Sequence, residues 1–119
     1  MRFLWVGLGG ALGSVARYGI STSIDQSHFP WATLGINLSG AFILGLFLTL
    51  GLGHLSVAVM TPVAVGVLGG YTTFSTFAWE GFTFGRTGRS GVALTYVAVS
   101  VVGGLLAAWS GYSLGRALQ

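Results

Sequence analysis

Long apolar runs separated by short polar breaks make up nearly the whole chain. About 20 apolar residues wound as a helix cross the hydrocarbon core of a bilayer. Four stretches reach that length: Phe3 to Ile24 (interrupted by Arg17), Trp31 to Leu52, Leu55 to Trp79, and Val92 to Leu114. Between them, Asp25 to Pro30 is a polar turn ending in proline, and Gly53-His54 is a tight hairpin. Glu80 to Gly91 holds Arg86 and Arg89 among glycines. No linker, composition shift or clear repeat divides the pattern. It predicts one all-α membrane domain over residues 1–119, with four transmembrane helices.

The third span departs from a plain apolar helix. Gly69-Gly70 is followed by Tyr71-Thr72-Thr73-Phe74-Ser75-Thr76-Phe77, four hydroxyl side chains interleaved with two phenylalanines after the tyrosine. Paired glycines weaken a helix, and Ser and Thr can bond the backbone groups that a broken helix releases. Irregular backbone at membrane depth persists only where protein buries it or where it lines a wet cavity. The expectation is a discontinuous third helix built around a binding or permeation site. Small residues also recur at four-residue spacing: Gly9 and Gly13, Gly66 and Gly70, Gly81 and Gly85, Gly111 and Gly115, with Gly35–Ser39 and Gly103–Ala107 extending the series. Such spacing lets helix backbones approach closely, within one subunit or between two.

Composition sharpens this picture. Hydrophobic residues are 53% of the chain and charged ones 6%, against about a quarter charged in soluble domains. The mean hydropathy is +0.83. Such a chain lacks the charge to cover a water-facing surface, and the first apolar run is too long and too closely followed by others to read as a cleaved leader. Cysteine is absent, which removes disulfides, thiolate metal sites and cysteine nucleophiles. Five arginines oppose only Asp25 and Glu80, and no lysine occurs. Charges so few and so near segment ends form no nucleic-acid patch.

Arginine placement bears on orientation. With four spans, Arg2 and Arg116 fall on one side, and Arg86 and Arg89 on the other. Topology follows the Lys/Arg balance of short loops, and here it is two against two. The expectation is dual topology, with both orientations paired as an antiparallel homodimer; the alternative is a single orientation fixed by another determinant.

Candidates for chemistry are sparse. Asp25, Glu80, His28 and His54 lie at span ends or turns without triad or metal spacing, so each reads as a solvated or interfacial group and the chain as no enzyme. Asn37 lies about two turns into the second span, where its amide either bonds another helix or donates to an anion. Tyr96 and Ser100 are four apart and share a helix face, able to continue a polar stripe from Ser75 and Thr76. Arg17 marks an ion path or snorkels beside Tyr18. Phe74 and Phe77 read as packing, or as ring edges that solvate a dehydrated anion, since an aromatic edge is positive.

Gly9-Gly10-Ala11-Leu12-Gly13-Ser14-Val15-Ala16-Arg17-Tyr18, Asn37-Leu38-Ser39-Gly40-Ala41-Phe42 and Gly69 to Phe77, in this order and spacing, resemble the Fluc or CrcB family of fluoride channels over essentially the whole chain. The resemblance implies small four-span proteins forming antiparallel homodimers with two pores that export fluoride passively. It implies pore roles for Phe74, Phe77 and Asn37, a polar track through Ser75, Tyr96 and Ser100, and Arg17 near a vestibule. Gly104, one turn beyond Ser100, has no side chain to extend that track. The resemblance further implies that main-chain carbonyls of Gly69 and Thr72, two from each subunit, hold a structural Na⁺ on the dimer axis. The expected partners are fluoride, a second copy of the chain and the lipid bilayer; the expected location is the cell membrane, the inner one in a Gram-negative cell. Two other classes remain: a small multidrug-type proton-coupled exporter, which would want a first-span carboxylate where this chain has Arg17, and an assembly subunit without transport.

Overall fold

The structure, a computed structural model, describes all residues from Met1 to Gln119. Helix α1 spans Arg2–Ser23 and α2 spans Trp31–Gly51. A third helical unit runs from Val57 to Arg86 in pieces: α3 (Val57–Thr61), a π-helical segment (Pro62–Leu68), α4 (Gly69–Tyr71) and α5 (Phe74–Arg86). Helix α6 (Ser90–Ala117) closes the chain. Gly53 and Gly88, in the turns before α3 and α6, have φ of 82° and 81°, which a side chain would strain.

The protein is therefore all-α, and α2, the Val57–Arg86 unit and α6 are long and apolar enough to cross a membrane. Helix α1 has the length, at 22 residues, but Arg17 and its serines make it less apolar than the other three. Only 16 of 119 residues are buried, while Leu12, Val15, Leu94, Leu105 and Trp109 are exposed. A surface this apolar is suited to lipid, and the fold is that of a multi-pass membrane protein.

Two seams of backbone on backbone organise the helices. A Cβ on Gly9 would lie 2.6 Å from the Pro62 carbonyl oxygen, and one on Gly13 would lie 2.1 Å from that of Val67. From the other side, a Cβ on Gly70 would meet the Gly10 carbonyl at 2.6 Å. Along α2 and α6, Gly111 and Gly45 face the carbonyls of Phe42 and Ala108 at 2.1 and 2.4 Å. Glycine is obligatory at such contacts because a methyl would drive the helices apart. Gly81 and Gly85 have their nearest neighbours at 3.6 and 4.0 Å, and Gly35 and Gly104 have none within 4 Å. The expected small-residue packing thus holds within the chain for three of the pairs, Gly9/Gly13, Gly66/Gly70 and Gly111/Gly115. It is looser for α5 on α6.

The helix break falls at Thr72 and Thr73, just after the paired glycines. Gly69 keeps helical angles (φ −66°, ψ −35°), and the chain becomes extended at Thr72 (φ −79°, ψ 156°) and Thr73 (φ −148°, ψ 116°). Gly70 serves close approach to α1, while two β-branched residues, stiff at χ1 and suited to extended backbone, form the break.

Candidate functional site at the helix break

Asn37 closes the break. Its side-chain oxygen accepts from the Thr73 N–H at 2.8 Å, and its amide nitrogen donates to the Thr73 carbonyl at 3.0 Å. One side chain from α2 thereby replaces both bonds that an unbroken helix would have given Thr73. The carboxamide has two N–H donors, so one remains beyond this pair. Asn37 also lines a groove of about 330 Å³ with Gly40, Gly69, Thr72, Thr73 and Phe74.

Thr73 then caps α5. Its hydroxyl oxygen accepts from the Thr76 N–H at 3.2 Å and donates to the Thr76 hydroxyl at 3.1 Å, with the Ser75 hydroxyl 3.4 Å away. Threonine is a favourable cap because its oxygen takes up a first-turn N–H that the helix leaves free. The N-terminus of α5 carries the positive end of the helix dipole, and a cavity of about 310 Å³ lies against it. That cavity is lined by Ser14, Arg17, Ser21, Thr33, Thr73 and Thr76. Arg17 Nε is buried without a hydrogen-bond partner. Arg17 thus opens onto a polar cavity beside the break, and Tyr18, its neighbour, is exposed.

The aromatic residues run away from the break in a chain. Phe74 is 79% exposed, and its ring centroid lies 5.6 Å from that of Phe77. Phe77 meets Tyr96 edge-on at 5.2 Å, and Tyr96 meets Phe29 edge-on at 5.6 Å. Tyr96 is fully buried. Ser100, one turn along α6, keeps a buried hydroxyl with no partner. Ser75 is exposed. Phe74, Phe77, Ser75 and Asn37 thus meet at the break, Arg17 flanks its cavity, and Tyr96 joins through Phe77.

Glu80 is the residue that sequence reasoning missed. Expected as a solvated or interfacial group, it is half-buried and has both carboxylate oxygens engaged. The Thr33 hydroxyl donates to Oε1 at 2.8 Å and the Tyr96 hydroxyl to Oε2 at 2.7 Å. Its position three residues after Phe77, on the same helix face, was the available signal. Asp25 does stay in its loop, where the Ser27 N–H and then the Ser27 hydroxyl hold its carboxyl below the ordinary carboxylate range.

The expected sodium is corrected. No group of three or more His, Cys, Asp or Glu side chains that could hold a metal ion occurs, and cysteine is absent. Hard cations take several converging oxygens. The structure thus shows no side-chain metal group to support the expected sodium.

A broken apolar helix clamped by an α2 asparagine, with two phenylalanines at its restart, is the arrangement that comparison with known proteins bears on. Residues 4–112 match the family described as CrcB-like protein, Camphor Resistance (CrcB). The chain belongs to the CrcB family. Among CrcB relatives, a fluoride-specific ion channel FluC of Thermus thermophilus is 48% identical over 98% of this chain and 95% of its own length. The FluC protein of Acidobacterium capsulatum is 41% identical over 98% and 97%. FluC 2 of Moorella thermoacetica is 44% identical over 94% of each chain. These relatives are named as ion channels rather than enzymes.

Proposed function

We propose that the protein is a fluoride-selective channel that lets fluoride leave the cell passively and so limits its toxicity. The observation that carries this reading is the break itself: a hydroxyl-capped α5 N-terminus set between the Phe74 ring and the cavity of Arg17. Fluoride is small, strongly hydrated and a good hydrogen-bond acceptor. A pore that passes it and rejects chloride replaces its water with close donors. The spare N–H of Asn37, the hydroxyls of Ser75 and Ser100 and the edges of Phe74 and Phe77 are of that kind. Arg17 and the α5 dipole raise the local anion concentration without tight capture, as conduction requires.

The working unit in this proposal is an antiparallel homodimer of four-span subunits, each a single domain over residues 1–119. Support comes from the two-against-two arginine count and from Phe74, whose exposed ring at the site lacks a partner on one side. A proton-coupled exporter is the second reading, favoured only by Glu80, a carboxylate among the spans. Both its oxygens are occupied by hydroxyl donors, and α1 offers Arg17 in place of an acid.

Purified protein in liposomes should release fluoride far faster than chloride, with no pH gradient and no ATP. Equal release of the two anions, or release only under a pH gradient, would refute the channel reading.

A further inference from the structure

Arg89 sits where α5 turns into α6, and its guanidinium makes two hydrogen bonds and one ring contact. Nη1 donates to the Ser27 carbonyl at 3.1 Å, Nη2 donates to the His28 carbonyl, and Cζ lies 4.6 Å over the Phe84 ring. A planar fork with several donors can bridge two successive carbonyls and stack at once; an ammonium cannot. The two carbonyls belong to the residues immediately before Phe29. Arg89 therefore fixes the backbone that presents the Phe29 ring.

Phe29 has a defined task in this arrangement. Its ring stands at 84° to Tyr96, with centroids 5.6 Å apart, and rests on Trp31 at 4.6 Å. Tyr96 is fixed at its hydroxyl by Glu80, yet a ring held at one end still rocks about that bond. Phe29 and Phe77 both meet it edge-on. The Phe77 ring, whose other neighbour is the exposed Phe74, thus takes its orientation from Tyr96.

We propose that Arg89 is a positioning residue for the pore aromatics, acting through the Ser27–His28 backbone, Phe29 and Tyr96 on the edge that Phe77 presents to the anion. This rests on the fluoride-channel reading. The partners of Arg89 are neutral, so it keeps its charge and the arginine balance is unchanged. The rival account is that Arg89 merely attracts anions by its charge. The two accounts diverge at lysine, which keeps the charge and loses the fork.

The test uses full-length protein in liposomes, carrying 3-fluorotyrosine, with the Tyr96 signal assigned by Tyr96→Phe. Fluorine NMR reads the Tyr96 ring, and efflux reads fluoride against chloride. Arg89→Lys and Arg89→Gln should both shift or broaden the Tyr96 line and reduce fluoride flux by about 2- to 10-fold, the size that one oriented aromatic contact carries. The loss should be independent of ionic strength, because screening weakens a steering charge and leaves a packed contact unchanged. Phe29→Leu, a milder change, should reproduce both effects. The double variant Arg89→Gln/Phe29→Leu should be no worse than either single one, since both cut the same path. An Arg89→Lys protein with the original Tyr96 line and flux, or a salt-dependent loss, overturns the proposal. A shifted line in a protein that passes no fluoride even unmodified would leave the positioning intact and reject the channel reading instead.

Discussion

Replacing Asn37 by alanine isolates the clamp that holds the helix break. The substitution removes both bonds to Thr73, the 2.8 Å bond from its N–H and the 3.0 Å bond to its carbonyl. Thr73 is 8% exposed, so bulk water does not freely replace them. An unsatisfied buried polar group costs about 1–3 kcal/mol, which puts two at roughly 2–6. Thr73 also lines the polar cavity beside Arg17, and a water admitted there would recover part of the loss. The lower end, about 2 kcal/mol, is therefore expected, a shift of roughly 30-fold in the unfolding equilibrium. Denaturant unfolding in detergent followed by circular dichroism measures the loss. Amide exchange resolves its origin, because the Thr73 N–H should lose protection before the cores of α2 and α6. Asn37→Asp keeps an acceptor for the Thr73 N–H but sets a carboxylate against the Thr73 carbonyl, so it should not rescue. If Asn37→Ala cost under about 0.5 kcal/mol and left Thr73 protected, the break would be held by Thr73's own capping, and the clamp reasoning would fail.

Three further outcomes follow from the same geometry. Gly13→Ala puts a methyl 2.1 Å from the Val67 carbonyl and should cost about 1–3 kcal/mol, whereas Gly104→Ala, with nothing within 4 Å, should leave melting unchanged; equal effects would dissolve the seam. Phe74→Leu should impair fluoride efflux while size-exclusion chromatography shows an unchanged assembly, and an undiminished rate would leave Phe74 as packing. Two arginines added beside Arg116 should bias insertion and deplete functional protein; C-terminal tags reporting one side only in the unmodified chain would remove dual topology.

The membrane architecture was legible because it depends on composition over 20-residue windows, which neighbours cannot overturn. Asn37 was legible too, since an amide at that depth must find a partner. The exact residue of the break was not legible because glycine signals weakness in two ways, as backbone freedom and as absent bulk. At Gly70 the second applies, with the Gly10 carbonyl 2.6 Å from where its Cβ would stand. The bonds of Glu80 were not legible because its partners, Thr33 and Tyr96, lie 47 and 16 residues away on two other helices. The π turn over Pro62–Leu68 had no marker beyond the proline, whose missing N–H excuses one helical bond without saying how the next turn winds.

The divided third unit also constrains how the protein is made. Helix α5, at 13 residues, measures about 20 Å and the helical run before the break little more; neither spans a hydrocarbon core of about 30 Å. They must enter the bilayer as one piece, with an exposed peptide at Thr72–Thr73 until a partner arrives. Synthesis proceeds from the N-terminus, so α2 is already in place when that peptide leaves the ribosome. The asparagine that closes the gap is waiting before the gap exists, and chain order itself works as a chaperone.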